Sequence, residues 1–519
     1  TRKEARHFGI DKPMEFSFHD IWPPFWNGRS ISTGDIDNDG DPDIVFASSE
    51  RGLYIYFNDG TGKFERKDFG FEKVTKLVML NAALVDLNND GWLDLFLSAY
   101  RQGSHVLWNN KGSFDEADLT PVKNRDDGIV PIGLSFADID RDGFLDAALG
   151  NWSAGWYRRI PGEEARNRIV FNDDGKMTGN KYTELEGMPG ESLSLLVSDF
   201  NMDGFADVMV GNDFEQPDVF YLGDGKGGMK RVRPADGLIE QSTQTTMAVK
   251  TADFDNDLVP EIYVAQIAGR ASGASERLKL RPIQLYCSDI ERPEDQEYCL
   301  KNLDIHGWYK SGNQFDPALA TKCLKLKPRK REECKGMMVK DLAIQNDDAS
   351  ICSYIKPDQV RAQQYCDIHF RPKYQPTEAE YADNIPQIPM RNVLLANDGS
   401  GSFKDVTEAK GLGVGGWSWD VKTGDFDNDE WQDVYIVNGT WVAQEFSPSN
   451  LFYSNQGGKA FKEATEKFGL LDYLLTPVAT QFDMDNDGDL DMITYTTNGP
   501  IMTFVNNSQK GNTIAFEFR

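Results

Sequence analysis

The chain has 519 residues, of which 39% are hydrophobic and 12% aromatic, so it can bury a large core and is not a disordered chain. Its formal net charge of -28 excludes nucleic acid as a natural partner, because phosphate recognition needs a basic surface. No run of about 18 apolar residues occurs, so no helical membrane span is expected. Thr1 opens no signal-peptide pattern, which is also how a processed secreted chain would read.

In chain order, the segment MEFSFHD from Met14 alternates like an edge strand. It is expected to close the last repeat beside IMTFVNN, from Ile501. Seven acidic loops of the form D-x-[DN]-x-D follow: DIDNDGDPD from Asp35, DLNNDGWLD from Asp86, DIDRDGFLD from Asp138, DFNMDGFAD from Asp199, DFDNDLVPE from Asp253, DFDNDEWQD from Asp425 and DMDNDGDLD from Asp483. They start 51, 52, 61, 54, 172 and 58 residues apart, so one repeat of about 55 residues recurs and one step carries a long insertion. A strand-like run precedes each loop (RSISTG, NAALV, GLSFA) and another follows it (DIVFAS, DLFLSAY, DVYIVNG). A third run then ends in an Asn/Gly turn, as in YIYFNDGTGKF and LFYSNQGGKAF. Four short strands per repeat predict an all-β fold, a seven-bladed β-propeller of four-stranded blades, with a disulfide-stapled, mainly helical insertion. A parallel β-helix is the competitor, but its coils are much shorter than this repeat.

The loops have the chemistry of a calcium site. Calcium takes six to eight oxygens from carboxylates, carbonyls and water. Positions 1, 3 and 5 offer side-chain oxygens, position 7 a backbone carbonyl and position 9 a closing carboxylate. The first loop supplies Asp35, Asp37, Asp39, Asp41 and Asp43, and the second Asp86, Asn88, Asp90, Trp92 and Asp94. The third supplies Asp138, Asp140, Asp142, Phe144 and Asp146, and the fourth Asp199, Asn201, Asp203, Phe205 and Asp207. The fifth supplies Asp253, Asp255, Asp257, Val259 and Glu261, the sixth Asp425, Asp427, Asp429, Trp431 and Asp433, and the seventh Asp483, Asp485, Asp487, Asp489 and Asp491. Glycine at position 6 permits a left-handed bend, but Leu258 and Glu430 replace it in the fifth and sixth loops. Plain Asx-turns are the bland alternative, and seven loops in register argue against it. Up to seven calcium ions are expected.

Residues 269–390 interrupt the pattern and hold all six cysteines: Cys287, Cys299, Cys323, Cys334, Cys352 and Cys366. CSDIERPEDQEYC, CLKLKPRKREEC and CSYIKPDQVRAQQYC share one signature, which favours three local bridges, Cys287–Cys299, Cys323–Cys334 and Cys352–Cys366. Zinc is the alternative, but no C-x2-C is present, and the absence of C-x-x-C-H excludes covalent haem. Disulfides imply an oxidising compartment, so the chain is expected to be secreted, periplasmic or on the cell surface. The stretch from Lys322 to Lys340 is basic on an acidic body. Lys325, Lys327, Arg329, Lys330 and Arg331 in it are candidate partner contacts, against the bland reading of solvated helix faces. The expected organisation is residues 1–268 as blades 1 to 5 (first part) with an N-terminal strand closing blade 7, residues 269–390 as the insertion, and residues 391–519 as the rest of blade 5 and blades 6 and 7. The insertion then leaves the face opposite the acidic loops and is expected to be a separable arm. Trp152, Trp156, Tyr157 and Trp441 lie in other long connections on that face and are candidate contacts, unless they pack beneath their own loops.

The loops, their spacing and the N-x-G-x-F turns resemble FG-GAP repeats, the blades of integrin α-subunit propellers. GGWSWDVKTGDFDND from Gly415 and EARHFGID near the start are similar to secreted cartilage acidic protein-like proteins with an ASPIC/UnbV tail. The resemblance covers residues 1–268 and 391–519. It implies calcium in the matching loops and, from integrins, ligand binding on the opposite face. NTIAFEFR at the end reads as a closing strand or as the start of that tail. Two function classes follow: an extracellular binding, adhesion or scaffold subunit whose partner is another protein or a surface glycan, or a propeller enzyme acting on carbohydrate, a glycosidase or lyase. No nucleophile motif, H-E-x-x-H or spaced Cys/His site is present, so the first is the expected reading.

Overall fold

The computed structural model describes residues 2–14, 18–21, 30–48, 52–123, 131–152, 161–213, 216–267, 278–309, 313–439 and 446–508. The described residues are mostly β, arranged as seven four-stranded antiparallel sheets, with a small helical region holding three disulfides. In every sheet an acidic loop joins the first strand to the second, and the loop's ninth residue opens the second strand. In sheet 1 the strands are Ile31–Gly34, Asp43–Ser48, Gly52–Asn58 and Phe64–Lys67. All six residues of Asp43–Ser48 are buried, as are those of Asp94–Ala99 in sheet 2, because both faces of each second strand meet a neighbouring sheet.

Consecutive sheets share apolar clusters. Val45 and Ile55 of sheet 1 meet Leu95 and Leu97 of sheet 2, and Met209 and Phe220 of sheet 4 meet Ile262 and Val264 of sheet 5. Sheet 1 also packs on sheet 7: Ile44, Phe46 and Tyr56 cluster with Phe482, Ile493 and Tyr495, and the Phe46 and Tyr495 rings stand edge to face at 5.5 Å. The first strand of sheet 1 lies against the first strand of sheet 7, Val478–Phe482.

Sheet 7 is completed from the N-terminus, but by other residues than the sequence pattern suggested. Arg2–Glu4, not the segment from Met14, pairs antiparallel with Met502–Phe504 as the outer strand. Ala5 N–H continues this pairing to the Ile501 carbonyl at 2.8 Å, and Arg2 reaches the buried Asp472 at 3.1 Å. The chain then turns at Gly9 (φ 93°), where a Cβ would lie 2.0 Å from the Phe64 carbonyl oxygen, so glycine alone fits. Downstream, Phe18 is fully buried among helices, its ring 4.6 Å from that of Tyr309, which gives that apolar residue of the later segment a place in the core.

The insertion joins the second and third strands of sheet 5, Glu261–Gln266 and Val393–Asn397. Its main helices are α1 (Pro293–Trp308), α2 (Pro317–Cys323), α3 (Pro328–Gln345) and α4 (Val360–His369). The first three open on proline, whose fixed φ and missing N–H suit the first helical position. Cysteines pair as Cys287–Cys299, Cys323–Cys334 and Cys352–Cys366.

This insertion is not a free arm, and that expectation is corrected. Tyr286, Cys299, Met337 and Tyr365 belong to one apolar cluster with Leu80, Tyr100, Trp152, Met247, Leu475 and Met502 of the sheets and their connections. Tyr286 Oη accepts the Leu475 N–H at 2.5 Å, Asn498 donates to the Cys299 carbonyl at 3.1 Å, and Arg101 donates to the Gln364 carbonyl at 3.2 Å. Tyr365 lies edge-on to Tyr100 at 5.7 Å. Antiparallel strand order puts these contacts at the end of the sheets opposite the acidic loops, so the helices lie across that end as a cap.

Candidate metal-binding loops and the opposite face

One hydrogen-bond scheme repeats in all seven loops. The position-1 aspartate accepts the N–H groups of positions 5 and 6, as Asp35 does from Asp39 and Gly40 at 3.1 and 2.9 Å. The position-5 aspartate accepts the N–H of position 7, as Asp90 does from Trp92 at 2.9 Å. The position-9 carboxylate accepts the N–H of position 2, as Asp43 does from Ile36 at 2.9 Å and Glu261 from Phe254 at 2.8 Å. Its other oxygen accepts an N–H from the end of the third strand or the second residue after it in six sheets, as from Asn58 at 2.9 Å in sheet 1. These bonds fold each loop around its own carboxylates.

Position 3 differs. Asp37, Asp140, Asp255, Asp427 and Asp485 each have a buried Oδ1 with no hydrogen-bond partner. An orphaned buried carboxylate oxygen is costly without a cation. The same aspartates belong to five clusters whose carboxylate oxygens lie within 4.8 Å of one another. These are Asp35, Asp37 and Asp39; Asp138, Asp140 and Asp146; Asp253, Asp255 and Glu261; Asp425, Asp427 and Asp433; and Asp483, Asp485 and Asp487. All-oxygen donor sets of this kind fit a hard divalent cation. In the second and fourth loops Asn88 and Asn201 stand at position 3, and their amides donate to Asp90 and Asp203 at 3.0 and 2.9 Å. These two loops therefore carry less unbalanced charge. Trp92, Phe144, Phe205, Val259 and Trp431 at position 7 would need to contribute only backbone; in the first and last loops Asp41 and Asp489 stand there, and their carboxylates accept from the Asn486 amide and the Ser508 N–H.

Burial pushes the position-9 carboxyls up, only partly offset by the backbone N–H bonds they accept: Asp43, Asp94, Glu261 and Asp491 to about 7, Asp146 and Asp207 to about 6, and Asp433 to about 8. A carboxyl raised in the folded state holds its proton more tightly there than in the unfolded chain. Its contribution is therefore complete below the unfolded value of about 4 and is lost as pH rises through about 6 to 8. Stability in excess chelator is expected to fall as pH climbs through that window. Urea titrations at pH 5.5 and 8.5 check this, and a metal-free protein more stable at the higher pH would contradict it.

Left-handed geometry occurs twice per loop, at position 6 and also at position 4. Position 4 is Asn38, Asn89, Asn256, Asn428 and Asn486 in five loops, with φ between 55° and 59°. Asparagine tolerates this region, and its side chain is used as well. Asn38 donates to Gly91 O of the next loop at 3.0 Å, Asn89 to Gly143 O at 2.8 Å, and Asn486 to Asp41 Oδ1 of the first loop at 2.7 Å. Leu258 (φ 70°) and Glu430 (φ 74°) adopt at position 6 the conformation that glycine holds in the other five loops. Leu258 is 81% exposed and packs on little. Leu258→Gly is expected to stabilise the protein by up to about 1 kcal/mol, relief of left-handed strain minus the added freedom of glycine. Chemical denaturation measures it, and a loss of stability would refute the strain argument.

The Asn of the third-strand turn makes a second inter-sheet link that its role in the turn did not disclose. Asn58 donates to Met484 O at 3.0 Å, Asn109 to Ile36 O at 2.9 Å, Asn172 to Leu87 O at 2.7 Å, and Asn455 to Phe254 O at 2.8 Å. Asn397 and Asn506 bond Phe200 O and Phe426 O in the same way, at 2.6 and 2.8 Å. Each carbonyl is position 2 of the preceding sheet's loop, so the acidic loops and the sheet packing are one bonded system. Sheet 4 has Gly223 in place of this asparagine.

On the opposite face, Trp152 is 1% exposed within the core shared with the cap, so it is not a surface contact. Trp156, Tyr157, Trp441 and the NTIAFEFR segment lie outside the described residues. Lys325, Lys327 and Arg329 are exposed. Arg329 pairs with Glu333 at 2.9 Å, Lys330 donates to Asn302 and lies 4.8 Å over the Tyr298 ring, and Arg331 holds the Leu326 carbonyl at 3.0 Å. Part of the basic run thus serves the insertion's own fold.

Sheets and loops of this form are similar to FG-GAP-like repeats, and the FG-GAP-like repeat family matches residues 35–97, 86–149, 199–264 and 386–436. A curated relative, the T-cell immunomodulatory protein homolog of Plasmodium yoelii yoelii, is 27% identical over 169 residues. That match covers 30% of this chain and 22% of the relative, so the chain spans about a fifth of that protein's length. Among solved structures, BBS1N in complex with ARL6DN is similar over 94% of both chains at 8% identity, with a TM-score of 0.44. The V. cholerae biofilm matrix protein Bap1 is 15% identical over 46% of this chain and 35% of its own, with a TM-score of 0.29. No helix among the described residues is long and apolar enough to cross a membrane.

Proposed function

We propose that the chain is a calcium-loaded, seven-bladed β-propeller that works outside the cytoplasm as a binding, adhesion or scaffold subunit. The observation that carries the calcium reading is the recurrence of one orphaned, buried position-3 oxygen at five equivalent places, each inside a carboxylate cluster. Positions 1, 3, 5 and 9 would hold the ion through side chains and position 7 through its carbonyl. Bound calcium supplies charge neutralisation and a rigid loop. The packing of sheet 7 on sheet 1, and the asparagine links that run from six of the seven loops to the next sheet, support a closed seven-bladed ring. Three local disulfides and the likeness to secreted FG-GAP proteins support an oxidising compartment. A binding role is favoured because the clustered carboxylates are held in the loops, and partner contact falls to the capped face. Isothermal titration of calcium into chelator-stripped protein is expected to fill at least the five carboxylate clusters per chain. A titration without saturable heat at any of them would reject the proposal.

A further inference from the structure

The outer side of the helical cap carries a groove of about 380 Å³ between the end of α2, the face of α3 and the short helical turn Ala349–Tyr354. Leu324, Met338, Val339, Tyr354 and Ile355 line it. Leu324 is 59% exposed and Tyr354 77% exposed, so two large apolar side chains face water along one cleft. Disulfides hold its walls: Cys323–Cys334 ties α2 to α3, and Cys352–Cys366 ties the Ala349–Tyr354 turn to α4. Gly336 lets α3 and α4 approach closely, since a Cβ there would lie 3.0 Å from that of Ala362. A groove fixed in this way loses little conformational freedom when it is filled.

The rim is cationic. Lys335 and Lys356 both stand on Glu332, the former at 2.8 Å, so two cations share one carboxylate. Lys322, Lys325 and Lys327 are exposed on the adjoining turn. Around the groove Lys322, Lys325, Lys327, Lys335 and Lys356 are exposed, and Glu332 is the one carboxylate in its lining, in a chain whose net charge is -28. That contrast decides the occupant. An anionic membrane would be repelled by the body of the protein, and a second copy would bring the same large negative charge. An acidic segment of a partner meets the rim without that long-range penalty and reaches the groove with its apolar side chains.

We infer that this groove docks an acidic, amphipathic segment of a partner protein, placing carboxylates against Lys335 and Lys356 and large apolar side chains on Leu324 and Tyr354. The inference rests on the binding role proposed above and names the chemistry of the partner.

The test is selection of a displayed library of random 16-residue peptides on the calcium-loaded full chain, with counter-selection on the Leu324→Asp/Tyr354→Asp variant. Both side chains are exposed, so the variant is expected to melt with the parent. Enriched peptides are expected to be net acidic with several large apolar residues. They should bind the double variant at least about tenfold more weakly and lose affinity as salt rises. A Lys335→Gln/Lys356→Gln variant should weaken the same peptides and serves if the aspartate variant misfolds. Enrichment of peptides that bind both variants as well as the parent overturns the inference, as does equal binding of polyglutamate, which would mean ion exchange alone. Self-association of the parent that the variant lacks would make a second copy the occupant, and binding to phosphatidylglycerol vesicles would make it a membrane; either overturns it. Calcium titration of the same variant separates the two readings, since retained calcium binding with a failed selection removes only the groove.

Discussion

Replacing residues 270–389 with a short glycine-serine linker is expected to leave little or no stably folded protein. The ends of the insertion sit at a hairpin position, so geometry alone would permit the excision. Packing does not. The cap covers Leu80, Tyr100, Trp152, Leu193, Met247 and Leu475, all buried in the cluster it shares with the sheets. Uncovering six large side chains at about 1.5–3 kcal/mol each removes on the order of 10 kcal/mol, comparable to the whole net stability of a typical domain. Buried polar groups such as Asn498 would also lose their partners. Circular dichroism and dye binding on the excised protein check this. A monomer with the parent's melting temperature would show that the cap is dispensable.

Chelation is the second large effect. Without cations, three carboxylates crowd into each of five loops with a buried orphaned oxygen apiece. Seven calcium ions would bring fourteen positive charges and lower the formal charge of -28 by half. A site filled at about one hundred times its dissociation constant adds about 2.7 kcal/mol, so five sites add on the order of 10 kcal/mol. With an unfolding entropy of about 2 cal/mol/K per residue, a chain of this length should drop roughly 10 °C in melting temperature. Calcium should restore the loss and magnesium should not, because its strict octahedral shell suits these loops badly. A melting curve unchanged by excess chelator would remove the metal from the account. Because the third-strand asparagines hang on the same loops, loosening a loop also loosens the contact to the next sheet.

Much of this was legible in the sequence because the loop spacing is a local code. Positions 1, 3, 5 and 9 lie on one short segment, so their convergence needs no knowledge of distant residues, and the three bridges close loops within one signature each. The rest depended on contacts far apart in sequence. Arg2–Glu4 has no pattern that marks it as a strand, and its partner lies at Met502–Phe504. The basic charge of the insertion suggested a solvated arm, yet Lys340 is fully buried against Asp341 at 2.7 Å, and Tyr309 donates to that carboxylate at 2.8 Å. Trp152 fell on the buried side of its own alternatives. The asparagines at loop position 4 and at the third-strand turn were visible as recurrent letters. Only the three-dimensional neighbour revealed that their amides cross to the adjoining sheet.

The placement of the insertion also sets a timetable for the nascent chain. Glu261–Gln266 must wait for Val393–Asn397 before its sheet has a third strand, an interval of well over one hundred residues. At about 5–20 residues per second, that is on the order of ten seconds with an unpaired edge exposed. Arg2–Glu4 waits far longer, until Met502–Phe504 has emerged to receive it. The three disulfides close over short stretches within that interval and are independent of the sheets in sequence. The cap can therefore acquire its staples first and arrive as a formed lid on an incomplete set of sheets. An oxidant supplied late in synthesis would thus threaten the half-built sheet 5 more than the finished protein.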